Sequence, residues 1–140
     1  IGEGNYTRPQ GEEIYFEIQD DSTSLYTSGF SDTAAYTLNL EADSNGKIPK
    51  GAKAIYAQIE SKDSGSAGTD CYVRMMNSSS NSDSGIQSYP YGKANDTYDR
   101  TPGVVPCDAN GDVVVTLNSS GSPGAGTLDV YVKYFGVMLR

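Results

Sequence analysis

Apolar residues recur at every second position along much of this chain, in short runs cut off by Gly, Ser, Asn, Asp or Pro. In Ala35-Tyr36-Thr37-Leu38-Asn39-Leu40 the larger apolar side chains, Tyr36, Leu38 and Leu40, alternate with Thr37 and Asn39. Period two sends successive side chains to opposite faces of a pleated strand, so this run predicts one buried face and one wet one. Lys53 to Ser61 repeats the pattern, with Ile55, Ala57 and Ile59 on one face and Tyr56 and Gln58 on the other. The run from Leu128 to Phe135 puts Leu128, Val130, Val132 and Tyr134 together, until Gly136 breaks the alternation as a bulge would. Ile14–Ile18, Cys71–Met75 and Val113–Leu117 are compact strands rich in β-branched or aromatic residues. Weaker strand signals lie at Ser24–Thr27, Ile86–Tyr89 and Val104-Val105. Nowhere do apolar residues recur at helical spacing, so no helix is predicted.

The breaks are turns. Asp43 to Gly51 is turn-rich, and residues 63–69 and 119–126 are dominated by Gly and Ser. Asp108-Ala109-Asn110-Gly111-Asp112 carries the Asn-Gly step of a two-residue hairpin, which predicts positive φ at both central positions. About eight short strands separated by such turns predict an all-β fold, an antiparallel two-sheet β-sandwich of jelly-roll type, over residues 14–140. Residues 1–13 carry Gly, Pro and charge without periodicity and read as an extended N-terminal arm. A frayed terminus and an arm reaching a neighbouring subunit both stay open for it.

Composition narrows the function. The 140 residues include no His, no Trp and eleven Tyr, with a net charge of −8. Without His the chain lacks the commonest general base and metal ligand, and no Ser or Cys has an imidazole to activate it. The 18 acidic residues contain chance pairs, and only Glu17 and Asp129 lie in apolar runs, where they alternate outward, so solvated faces and turns are favoured over glycosidase chemistry. The reading is that the protein is not an enzyme and uses no cofactor. Ten basic residues scattered through an acidic chain give no patch for nucleic acid or an anionic membrane. No segment is apolar for long enough to cross a membrane as a helix.

Two further features bear on sites. Cys71 and Cys107 form an even pair that permits one disulfide, and two small core residues are the plainer reading. Asp108 to Asp112 superficially resembles a calcium loop, but its Gly is misplaced and the distal Glu is missing, which favours a hairpin turn and no metal. The polar stretch from Asn77 to Asp99 is the longest in the chain, and Tyr89, Tyr91 and Tyr98 cluster in it. Exposed Tyr beside Asn and Asp suits sugar stacking and protein contacts alike, so these three are the candidate binding residues.

Four segments then carry a resemblance. They are Tyr36-Thr37-Leu38-Asn39-Leu40, Ile48-Pro49-Lys50-Gly51-Ala52-Lys53-Ala54-Ile55-Tyr56, Asp108-Ala109-Asn110-Gly111-Asp112-Val113 and Leu128-Asp129-Val130-Tyr131-Val132-Lys133-Tyr134-Phe135-Gly136. Together, over residues 34–139, they resemble small jelly-roll proteins of tailed bacteriophage virions, the capsid decoration (cement) proteins and the domains of head or tail fibres. The resemblance implies a structural protein on the virion surface, often a homotrimer, whose partners are the major capsid protein or other virion proteins. It implies no catalytic residue. It also weighs against a disulfide, because such particles assemble in a reducing cytoplasm. Two other roles stay open: a fibre domain binding a receptor or glycan through the Tyr loop, and a filament subunit joined by β-strand addition.

Overall fold

A computed structural model describes residues 12–20, 26–30, 34–63, 71–78, 85–90, 97–119 and 128–140. Nine strands and one helical turn lie in this part of the chain: β1 (Glu13–Tyr15), β2 (Tyr26–Phe30), β3 (Ala34–Leu38), α1 (Leu40–Asp43), β4 (Ala54–Asp63), β5 (Cys71–Met76), β6 (Ile86–Ser88), β7 (Asp99–Pro106), β8 (Val113–Ser119) and β9 (Leu128–Met138).

The pairings show how the fold is made. β2 pairs with β9, β3 with β8, β4 with β7 and β5 with β6, all antiparallel. The chain is thus one long hairpin with its tip between β5 and β6, rolled up so that β4 also meets β9 and β5 also meets β8. The result is two sheets, one in the order β1-β9-β4-β7 with β2 also on β9, the other β3-β8-β5-β6. This strand order is a jelly roll, as the alternation predicted. β1 and β2 run along one edge of β9 as two pieces of a single interrupted strand. The sheet begins earlier than the sequence suggests, because Glu12 already accepts a hydrogen bond from the Leu139 amide at 2.7 Å and Glu13 pairs with Met138. Residues 1–11 of the expected arm lie outside the described residues.

The core sits between the sheets. Ile55, Ala57 and Ile59 of β4 and Val130, Val132 and Tyr134 of β9 face Val73 and Met75 of β5 and Val113 and Val115 of β8. Each of these alternates with an outward residue, which is why period two was readable. Gly136 lies at the predicted irregularity: the β4–β9 register shifts between Tyr56 and Ala57, leaving Phe135 as the extra residue.

Three expectations are corrected. Leu40 is not the end of a strand. The strand stops at Leu38, Asn39 caps α1 by accepting from the Ala42 amide at 3.2 Å, and Leu40 is buried at the start of that turn. The turn closes with the Asn45 amide on Ala42 and the Gly46 amide on Glu41, both residues having positive φ. The turn at Asn110-Gly111 has positive φ only at Gly111. The Gly111 amide returns to Asp108 and the Asp108 amide to Asp112, a longer hairpin loop closed by a left-handed glycine. Finally, β7 spans Asp99 to Pro106 where Val104-Val105 alone was expected. It is an edge strand, and an edge tolerates Pro102 and Pro106.

Candidate functional site

The Tyr-rich stretch is anchored at its base by buried hydroxyls. Ser61 and Ser88 share a hydrogen bond of 2.5 Å across the two sheets. Ser88 also donates to the Asp99 carboxylate at 3.0 Å, and that carboxylate accepts from the Tyr89 amide at 2.7 Å. This ties the end of β6 to the start of β7. The rings then diverge. Tyr89 is exposed and packs on Tyr72 with centroids 5.2 Å apart, while the Arg74 guanidinium lies 4.4 Å over the Tyr72 ring. Tyr98 turns to the outer face of the other sheet, 6.2 Å from Tyr131, with Arg100 at 4.5 Å and Lys62 at 5.0 Å from its ring. Tyr91 lies outside the described residues. Tyr89 and Tyr98 therefore belong to opposite faces of the sandwich.

The two cysteines are far apart. Cys71 stands opposite Ser119 at one end of β8, while Cys107 lies across a tight turn from Val113 at the other. The six-residue step from Val113 to Ser119 spans about 20 Å. A disulfide tolerates a Cα separation of about 7 Å at most. Cys107 is a free thiol in the core, and burial pushes its pKa up to about 12 from 9.0. In a Cys71→Ser variant, alkylation of Cys107 at pH 8 should run about a thousandfold slower than for an exposed thiol and become fast on unfolding in urea, as read by mass spectrometry.

The Asp108 loop is a hairpin turn. One Asp108 carboxylate oxygen accepts from the Asn110 amide at 2.8 Å and the Asp112 amide at 2.9 Å. Burial, then the nearby Asp108 charge, raises the Asp112 pKa. Among the described residues no group of three or more His, Cys, Asp or Glu could hold a metal ion.

The sequence reading missed a surface on the outer face of the first sheet. Tyr15 of β1 and Val104 of β7 are 67% and 55% exposed. With Glu13, Tyr56, Pro102, Gly103, Phe135 and Met138 they line an open groove of about 540 Å³. Its floor is aromatic: the Tyr56 ring lies 6.0 Å from Tyr15 and 6.2 Å from Phe135. Gly136 makes room for this, since a Cβ there would stand 2.7 Å from the Tyr56 ring. Glu13 accepts hydrogen bonds from the Tyr15 and Tyr56 hydroxyls, the latter at 2.6 Å. These two phenols, Tyr15 foremost, hold the Glu13 carboxyl below its usual range, and Glu13 in turn pushes Tyr56 up to about 12.

Further along the same face lies an ion cluster. Glu60 points outward from β4 yet is only 4% exposed. It accepts from Lys133 at 3.1 Å, Arg100 at 3.1 Å and Gln58 at 2.8 Å. Lys133 is 8% exposed, whereas the Arg100 side chain is 53% exposed. The available signal was the outward phase of Tyr56, Gln58 and Lys133, but phase alone does not say which strands lie side by side.

No family model matches the chain, and no curated protein matches it. Among solved structures, it is similar to a chain of Desmodium yellow mottle tymovirus, with 10% identity over 96% of this chain and 85% of the other and a TM-score of 0.49. It is also similar to a chain of turnip yellow mosaic virus, with 12% identity, 93% and 94% covered and a TM-score of 0.45. For the empty head of that virus the values are 10%, 97%, 85% and 0.45.

Proposed function

We propose that this protein is a structural component of a virion surface, a decoration protein that binds the major capsid protein and stabilises the shell as a homo-oligomer. The observation that carries a contact-making role is the aromatic and apolar outer face of the first sheet. Tyr15 and Val104 lie open there over a groove floored by Tyr56 and Phe135, while the core between the sheets is already closed. Contiguous exposed apolar surface with a polar rim is the chemistry of protein contacts. The virion setting comes from the resemblance carried by residues 34–139.

The test uses particles from the source of this protein. Electron microscopy of particles carrying the tagged chain should place its density on the capsid faces. Stripping it should lower the temperature at which the shells open, and adding purified protein should restore it. Density confined to a fibre tip, or shells equally heat-stable without it, would sink the decoration role. A second reading, a fibre domain that binds a receptor or glycan, is favoured by the exposed Tyr89 stacked on Tyr72 beside Arg74. In that case Tyr72→Ala with Tyr89→Ala abolishes attachment of the particle to cells.

A further inference from the structure

We propose that two copies of this chain stack through the outer face of the first sheet, about a two-fold axis, with the Glu13 end of each copy on the Arg100 end of the other. The inference deepens the structural role by naming a partner, a second copy, and it rests on that role only for its biological purpose.

The face is built in three parts along its strands. At one end Glu13 sits with the exposed Tyr15 and the aromatic groove. In the middle lie Gln58 and Pro102, which are opposite each other in the β4–β7 register. At the other end Arg100 and Lys133 flank the single carboxylate of Glu60, and Tyr98 and Tyr131 bring two more rings. Lys133 is buried against Glu60, so the cation this end offers a partner is the exposed Arg100. One end thus presents a carboxylate beside aromatic rings, the other a guanidinium beside aromatic rings. A two-fold axis through the middle brings unlike ends together twice, as an isologous interface requires.

Charge decides the partner. A chain of net charge −8 repels its own copies at long range. This face provides a local pattern that reverses the repulsion, because an exposed carboxylate meets an exposed guanidinium at both ends. In the same stacking the Tyr15 ring is presented to Arg100, as the Tyr98 ring already is within the chain.

Sedimentation of the purified full chain should give twice the 14.9 kDa chain mass at micromolar concentration. Glu13→Arg and Arg100→Glu should each weaken the pair by about tenfold or more, and the two together should restore it to within about threefold. Val104→Lys, which alters an exposed side chain of the apolar strip, should also dissociate it while the circular dichroism spectrum stays that of the parent. A monomer at all concentrations, a trimer, or a dimer indifferent to all three substitutions would overturn the proposal. So would a combined variant no tighter than Glu13→Arg alone, with the circular dichroism spectra of all variants matching the parent. A dimer that fails to bind particles would leave the pairing intact and remove the decoration role instead.

Discussion

Replacing Lys133 by methionine should lower the unfolding free energy by about 3 kcal/mol, the usual cost of stranding one member of a buried ion pair. The reason is the position of Glu60. Its carboxylate is covered on an outward-facing strand position, and Lys133 is the buried cation that holds it, at 3.1 Å. Arg100 also reaches it, but through a side chain more than half exposed, where water screens the attraction. Without Lys133 the carboxylate stays desolvated against the edge of the Arg100 contact and Gln58. The pair itself is a different matter. Glu60→Leu with Lys133→Met removes both charges together, and the double variant should recover most of the loss. Urea denaturation of the parent, the single and the double variant reads this directly, and for a domain of this size the single variant should melt roughly 10 °C lower. Equal costs for the single and the double variant would mean that Lys133 acts through packing alone.

The second large effect is at Gly111. An alanine Cβ there would lie 2.7 Å from the Gly51 Cα and 2.8 Å from the Gly51 and Ala52 nitrogens, all of them backbone. Its φ of +85° adds the left-handed penalty of a side chain. The loop cannot retreat easily, because Arg140 ties Gly51 to Asp108, donating to the first carbonyl at 3.1 Å and to the second at 2.9 Å. Gly111→Ala should therefore cost about 3 kcal/mol, strain and displacement combined. Gly46→Ala is the control. Its φ is also positive, +78°, but nothing lies within 4 Å of the added atom, so only about 1 kcal/mol is expected. If both variants lost the same stability, backbone crowding at Gly111 would play no part.

The sheets were readable in the sequence wherever burial alternates strictly. Ile55, Ala57 and Ile59 announced β4, and Val130, Val132 and Tyr134 announced β9, because each strand has one face in the core. β7 was mostly missed since Pro102 and Gly103 read as breakers, and only its place at the sheet edge makes them acceptable. The turn at Leu40–Asp43 is too short to show a helical period, although its cap, Asn39, is visible in the sequence. The surfaces were harder still. Tyr89 and Tyr98 are close in sequence, yet their rings lie on opposite sides of the sandwich. Tyr15, Tyr56, Val104 and Phe135 are distant in sequence and come together because β1, β9, β4 and β7 are neighbours. Phase along a strand is local information, whereas adjacency in a rolled hairpin is not.

The strand at the middle of the first sheet is also the last of the described strands in chain order. Until residues 128–138 have left the ribosome, nothing joins β4 to β1 and β2, and the inward side chains of β4 lack the cover that Val130 and Val132 later give. Closing Glu13 onto Met138 gathers almost the whole described chain into one loop. Such non-local pairing puts folding in the range of milliseconds to seconds. The nascent chain meets its surroundings as an open apolar sheet, the form in which β-rich chains associate wrongly. The sandwich closes only when this eleven-residue strand is captured between β4 and the β1–β2 edge.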